Sequence, residues 1–313
     1  MEPRLRNTLS GLRDTIAAVY RGDPAAIELV LIALLSRGHI LIEDVPGVGK
    51  TTLARALGKA LGLKFSRIQF TSDTLPADVI GVSIFNAPAN RFEFHPGPIF
   101  GNVVLADEIN RATPKTQSAL LQAMNEGFVT TDEGTLPLPR PFLVVATQNP
   151  VEYLGTYPLP ESQLDRFFLR LSLGYPPEKE EKELLQKGGA ERSLEAISAL
   201  VDVSEIGALQ ERAEQVRVSE KLLEYVYLLV QTTRGRADLR LPVSTRGAQA
   251  FYRAIQARAL LAGRDYALPE DAQAVAGPVL AHRILSTSSD GYGTGDRERE
   301  VIRQILAEVP VPL

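Results

Sequence analysis

Residues 43–54 read EDVPGVGKTTLA. They nearly spell the loop that cradles phosphates between a strand and a helix, but the first glycine of that pattern is missing. Six positions before Lys50 stands Asp44. Such a loop needs small residues that let backbone N–H groups face an anion, a helix N-terminus behind them, and a lysine. Gly47 and Gly49 supply the first, residues 51–61 (TTLARALGKAL) read as the helix, and Lys50 would reach the β- and γ-phosphates. Thr51 would ligate Mg²⁺ where the helix begins. The absent glycine shapes how the chain arrives at the loop rather than the cradle, so Asp44 is tolerable if its φ is negative. The plainer reading is an ordinary strand-to-helix turn.

Outward from the loop, strand-like runs alternate with helical patterns. HILIED (39–44), KFSRIQF (64–70), NVVLADE (102–108), FLVVATQ (142–148) and FFLRLSL (167–173) read as strands. NVVLADE and FLVVATQ are nearly continuous in apolar residues, as strands of a parallel sheet buried on both faces are. One ends in Asp107 and Glu108. A strand ending so can place Asp107 on a Mg²⁺ shell and Glu108 against an attacking water as its base. Alone, such a pair is more often solvated; together with GKTT upstream it gains force. Another strand ends in Asn149, an amide that can hold that water or sense a γ-phosphate, or can serve as a turn residue before Pro150.

After Pro176-Pro177 the character changes. EKEEKELLQKGG reads as a charged helix closed by Gly188-Gly189, and only helical patterns follow. In residues 219–235, Ser219 is a good N-cap, Leu222, Val226, Leu229 and Val230 form one face, and Gly235 stops the helix. Another runs from about 244 to 261, and a third starts at Pro269 with Pro278 breaking it late. The expected division is an α/β domain, 1–175, with a parallel sheet flanked by helices, and a smaller helical domain, 176–313. Two hairpin insertions interrupt the first, at about 71–101 and 127–139.

Composition narrows the function. A chain of 313 residues can bury a large core in two domains. The net charge of -4, with signs mixed, argues against gripping nucleic acid or an anionic membrane as the main task. The chain has no cysteine, which excludes disulfides, thiolate metal sites and cysteine nucleophiles. His39, His95 and His282 are far apart and read as packing or surface residues. Residues 27–36 (IELVLIALLS) are too short to span a bilayer, and MEPRLRNTLS lacks the apolar run of a signal peptide, so a cytoplasmic location is expected.

The stretches VPGVGKTTLA, QFTSDTLPADVIG, FEFHPGPIFGNVVLADEINRATPKTQSALLQAM, ATQNPVEYLGTYPLPESQLDRF and ILAEVPVP resemble the MoxR family of AAA+ ATPases, over nearly the whole chain from about Val19. Loops of this group often lack the first glycine. The resemblance implies a P-loop AAA+ core followed by a helical lid. ATP phosphates would sit on Pro46, Gly47, Val48, Gly49, Lys50, Thr51 and Thr52, with Mg²⁺ on Thr51 and Asp107. The catalytic set would be Lys50, Glu108 as base, Asn149 as sensor 1, Arg166 as the arginine finger acting on a neighbour's ATP, and Arg246 as sensor 2, reporting from the helical lid on ATP bound between the chain's two domains. For Arg166 the competing reading is a local ion pair with Asp165 or Glu161. For Arg246 it is a stem packed on the surface with its head in water. In this chain STRG stands where the family often carries a Ser-Pro-Arg-Ala version. Arg111 and Lys115 are candidates for a subunit interface. Phe92 and Phe94, on the first hairpin, either touch a client chain or pack on the domain.

The implied activity is ATP hydrolysis in a homo-oligomeric ring, a hexamer, remodelling partner proteins in enzyme maturation or metal insertion. Proteins with von Willebrand factor A domains are the implied partners. Two rivals remain: a nucleic-acid motor, against which the acidic balance counts, and a nucleotide-dependent scaffold that does not hydrolyse.

Overall fold

The computed structural model describes residues 3–131, 134–150, 155–187, 191–287 and 295–312. Helices α1 (Pro3–Ala17) and α2 (Pro24–Leu35) lead into strand β1 (Ile40–Glu43). α2 begins where Asp23 accepts the amide of Ala25 and Pro24 occupies the first turn, where no N–H is required. Eight of its twelve residues are buried, so it is enclosed by protein on most sides and shows no one-sided apolar stripe. Then come α3 (Lys50–Ala60), β2 (Phe65–Gln69), α4 (Pro76–Ile80) and the antiparallel ribbon of β3 (Gly81–Asn86) and β4 (Arg91–Pro96). β5 (Val103–Asp107) and α5 (Pro114–Glu126) precede a second ribbon, β6 (Phe128–Thr131) with β7 (Gly134–Pro137). The turn expected at Asp132 and Glu133 lies outside the described residues. β8 (Leu143–Gln148), the single turn α6 (Glu161–Leu164) and β9 (Leu169–Leu171) complete the first half.

β1, β2, β5, β8 and β9 form one parallel sheet in the order β2-β5-β8-β1-β9. Side chains alternate across it as the two-residue period of a strand demands. Ile40, Ile42, Val103, Leu105, Leu143 and Val145 enter a core shared with α1, α2 and α3, while Leu41, Val104, Ala106, Val144 and Ala146 enter a second core under α5. This is the P-loop arrangement of a parallel sheet flanked by helices. All loops that follow these strands emerge at one edge, where such sheets bind ligands.

The second half contains α7 (Glu178–Lys187), α8 (Glu191–Glu195), α9 (Val203–Glu214), α10 (Glu220–Gly235), α11 (Thr245–Leu261), α12 (Pro269–Leu280) and α13 (Asp296–Glu308). Gly188 and Gly189, expected to close α7, lie outside the described residues. Ser219 caps α10 by accepting the amide of Leu222, and the face of Leu222, Val226, Leu229 and Val230 is buried. Pro278 does not end α12, which continues to Leu280 before a tight turn at 281–283. A small ribbon of β10 (Leu239–Leu241) and β11 (Leu285–Ser286) joins these helices. Strands of three and two residues are too short to leave an alternating pattern. The packing does not stop at Tyr175: the core that begins at Leu9 runs on through α9 to α13 as far as Val309.

The first hairpin divides its two phenylalanines. Phe94 packs edge-on against Phe100 of the body, with ring centroids 5.8 Å apart. Phe92 is 60% exposed and meets Phe85 across the ribbon, at 5.3 Å.

His39 ties the sheet together. Its Nε2 donates to the carbonyl of Met124 at 3.0 Å, and its Nδ1 accepts the amide of Val144 at 3.0 Å. With an N–H already facing Nδ1, the ring cannot take a second proton without losing that bond, and burial pushes its pKa down to about 4. The folded-state value is lower than the unfolded one. Stability therefore falls as pH drops from about 6.5 toward 4, by about 3 kcal/mol in total for this group. Denaturant unfolding at pH 7, 5.5 and 4.5 checks this. His39→Gln should flatten the part of the pH profile above pH 4.5; an unaltered profile would remove the assignment.

Candidate active site

The loop after β1 has the shape its residues suggested. Gly47 (φ 90°) and Gly49 (φ 93°) both adopt the left-handed conformation that L side chains rarely enter, and Gly49 caps α3. Val48 between them is buried and anchors the loop in the core, while Pro46 and Gly47 are exposed. Thr51 and Thr52 are half-buried in the first turn of α3. A Cβ on Gly49 would lie 3.5 Å from the ring of Tyr20, so that tyrosine backs the loop from the N-terminal side. Lys50 Nζ donates to the carbonyl of Asp44 at 2.6 Å. Burial pulls the lysine pKa down, opposed by the charges of Asp44, Asp107 and Glu108. Lys50 and the two carboxylates after β5 thus share one electrostatic neighbourhood.

Asp44 explains the missing glycine. It is not among the residues with positive φ, so its side chain brings no backbone strain. That side chain staples two strand ends. Oδ1 accepts the amide of Val45 at 2.9 Å; Oδ2 accepts the hydroxyl of Ser172 at 2.8 Å and the amides of Leu173 and Gly174 at 2.7 Å each. Burial alone would raise its carboxyl, but the bonds from Gly174, Ser172, Val45 and Leu173 outweigh it and hold the group below the usual carboxylate range. Restoring the usual pattern with Asp44→Gly should therefore harm the protein, by about 3 kcal/mol, since buried amides lose a charged acceptor. Chemical denaturation of the two forms measures this; equal midpoints would show the staple to be dispensable.

At the end of β5 the two carboxylates are held separately. Asp107 Oδ1 accepts the hydroxyl of Thr147 at 2.6 Å, and Oδ2 pairs with Arg67 at 2.6 Å. Glu108 sits in a left-handed conformation (φ 58°, ψ 50°), costly for a non-glycine residue and typical of positions whose side chain must point one way. Its amide donates to Thr147 Oγ1 at 2.9 Å, its Oε2 accepts from Gln69 at 3.1 Å, and Arg111 Nε lies 2.9 Å from the same oxygen. Arg111 is therefore beside its own chain's Glu108, whereas Lys115 is exposed at the start of α5. Asn149 follows β8, the strand next to β5, and is 7% exposed.

Arg166 and Arg246 lie elsewhere. Arg166 precedes β9, and the amide of Phe168 bonds to the carbonyl of His39, level with the start of β1. Asp44 stands at the far end of β1, about 16 Å away along the strands. The two carboxylates offered for local pairing with Arg166 have other partners: Asp165 binds Arg283 at 3.0 Å, and Glu161 lies 3.7 Å from Arg240. Arg246 is exposed in the first turn of α11, whose N-cap Ser244 receives the amide of Gly247 and donates to Asp165. The structure thus brings Lys50, Asp107, Glu108 and Asn149 to one edge of the sheet and Arg166 and Arg246 to the other.

Arg67, Gln69, Thr147 and Tyr20 are not singled out by the sequence. Each touches the site only because β2 and β8 lie on either side of β5, or because the segment after α1 lies beside the loop. No local spacing signals such neighbours; an alternating strand offers Arg67 and Gln69 merely as one face.

A family model described as "ATPase family associated with various cellular activities (AAA)" matches residues 39–169, and one described as "AAA lid domain" matches 231–305. The chain is 50% identical to "Uncharacterized protein YeaC" of Bacillus subtilis, over 91% of this chain and 89% of that one. It is 39% identical to "Chaperone MoxR1" of Mycobacterium tuberculosis, over 95% of this chain and 80% of the other. A crystal structure of a Cytophaga hutchinsonii protein assigned as an ATPase superposes with a TM-score of 0.90 at 38% identity, covering 99% of this chain and 96% of that one.

Proposed function

Because the chain belongs to the MoxR family of AAA+ ATPases, we propose that it hydrolyses ATP at the interfaces of a homo-oligomeric ring, a hexamer, and uses the energy to remodel partner proteins. The observation that carries this reading is the separation of the phosphate loop from Arg166 and Arg246. Positive charge at the sheet edge remote from Lys50 can complete only another copy's site. An interface that joins one edge to the opposite edge of the next copy is heterologous, the kind that builds a ring when the rotation between copies closes.

Within one protomer, the backbone of residues 46–52 and Lys50 would hold the phosphates, with Gly47 and Gly49 leaving the cradle clear. The hydroxyl of Thr51 and the carboxylate of Asp107 are hard oxygen donors of the kind Mg²⁺ takes. Bound Mg²⁺ would neutralise charge on the phosphate oxygens. Glu108, aimed by its backbone and steadied by Gln69 and Arg111, takes the proton of the attacking water. Asn149 orients that water. Arg166 of the next subunit stabilises the charge that develops, and Arg246 from the same edge binds the same neighbour's nucleotide. The sequence alone suggests that Arg246 reports on its own chain's ATP; its position favours the neighbour instead.

The name of the mycobacterial relative supports a chaperone-like role. Proteins with von Willebrand factor A domains, and enzymes awaiting maturation or a metal, are the proposed partners. Among the described residues no helix is long and apolar enough to cross a membrane. ATP turnover that rises with protein concentration, together with a ring-sized mass in the presence of ATP, tests the proposal. Turnover per chain that is independent of concentration down to the monomer would oppose it.

A further inference from the structure

We infer that Arg283 is a positioning residue for the edge that acts on the neighbouring subunit: it locks Arg166 and the first turn of α11, with Arg246, into one rigid unit. This deepens the proposal that Arg166 and Arg246 serve a neighbour's nucleotide, and rests on it.

The side chain of Arg283 is 2% exposed, yet its charge and its donors are used. Nε pairs with Asp165 Oδ1 at 3.0 Å. Nη1 donates to the carbonyls of Phe168, at 3.0 Å, and Val279, and Nη2 donates to the carbonyl of Phe167 at 2.5 Å. The backbone on both sides of Arg166 is thereby fixed, through the carboxylate before it and the two carbonyls after it. His282 adds a bond to the carbonyl of Phe167 at 3.1 Å. Arg166 itself is left half-exposed on a rigid base.

The same guanidinium reaches the lid. Asp165 also accepts the hydroxyl of Ser244, at 3.2 and 3.3 Å, and Ser244 Oγ receives the amide of Gly247 at 3.0 Å. A Cβ on Gly247 would lie 2.7 Å from Cδ of Arg283, so α11 comes this close only because that residue is glycine. Arg246 is the residue before it. Its charge repels that of Arg283, and the buried partner cannot move, so the exposed one is biased outward. A planar fork with five donors can serve one carboxylate and three carbonyls together. The compact ammonium of a lysine cannot. The consequence is mechanical: when a neighbour's nucleotide engages or releases either arginine, lid and finger shift as one body.

The test uses the assembled full chain. Arg283→Lys keeps the charge and loses the fork. A displaced finger should lower kcat by about 10²-fold, with KM for ATP within about twofold, because the variant's own phosphate loop is intact. Assembled at equal amounts with Glu108→Gln subunits, whose fingers are intact, it should regain activity at about a quarter of positions by random pairing in the ring. A merely structural defect would damage the variant's own site and give no rescue, which overturns the inference. Ser244→Ala, at an exposed position, cuts the link to Asp165 together with the N-cap bond from Gly247, leaves the buried Arg283 in place, and so guards against a folding failure. It should lose about threefold or more in kcat, rescued by the same mixing; full activity would overturn the coupling of α11 to Asp165. The same mixing with Arg166→Ala is the reference. If that pair fails to recover, the shared-site reading falls and this inference with it. If it recovers while Arg283→Lys does not, only the inference falls.

Discussion

Glu108→Gln is expected to bind ATP as the parent does and to hydrolyse it about 10²–10⁴-fold more slowly, the range a positioned general base contributes. The side chain is already placed: the left-handed backbone aims it, and Gln69 and Arg111 hold one oxygen at 3.1 and 2.9 Å. Glutamine keeps the length and an acceptor for Arg111, so it preserves the shape of the site and removes only the ability to take a proton. Nucleotide titration should give a dissociation constant close to that of the parent, and a phosphate-release assay should show the loss. Turnover persisting near the parental rate would assign the base to another group and would favour a reading in which Glu108 serves Arg111 structurally.

Removing the finger is expected to have the larger effect. Arg166→Ala should lower turnover by about 10³–10⁵-fold, the range found for arginines that stabilise a transferring phosphoryl group. Its KM for ATP should change little, because Arg166 lies at the sheet edge opposite Lys50. Arg166→Lys should recover little of the loss, since an ammonium lacks the planar fork that meets two phosphate oxygens at once. Steady-state kinetics on the assembled protein separates these quantities. A variant that loses affinity for ATP while keeping kcat would place Arg166 in binding and contradict its role as a finger.

The sequence was most legible where chemistry is local. EDVPGVGKTTLA carried the strand, the two left-handed glycines and the opening of α3, because glycine placement and helix starts depend on neighbours a few residues away. NVVLADE likewise carried β5 and its two carboxylates. The lid helices were readable from Ser219, the apolar face of α10 and Pro269. What stayed hidden was set by contacts between distant segments. Asp44 looks like a defect in a motif until β9 is seen beside β1, where its carboxylate collects the amides of Leu173 and Gly174. Arg67 and Gln69 reach Asp107 and Glu108 only through the pairing of β2 with β5. Arg246 reads as a sensor for its own chain's nucleotide because the lid follows the α/β domain in sequence. Its location is decided instead by Ser244 docking on Asp165, 79 residues away. Arg283, in the stretch AHRIL, gives no local signal.

The most direct test of a site shared between subunits is to mix two inactive proteins. Arg166→Ala has an intact phosphate loop and no finger; Glu108→Gln has a finger and no base. Assembled together with ATP, they should regain hydrolysis well above the sum of the two alone, because some Arg166→Ala loops now meet a Glu108→Gln finger. If the mixture stays at that sum while forming the same assemblies, each protomer is a complete or a broken site by itself, and no site is shared between subunits.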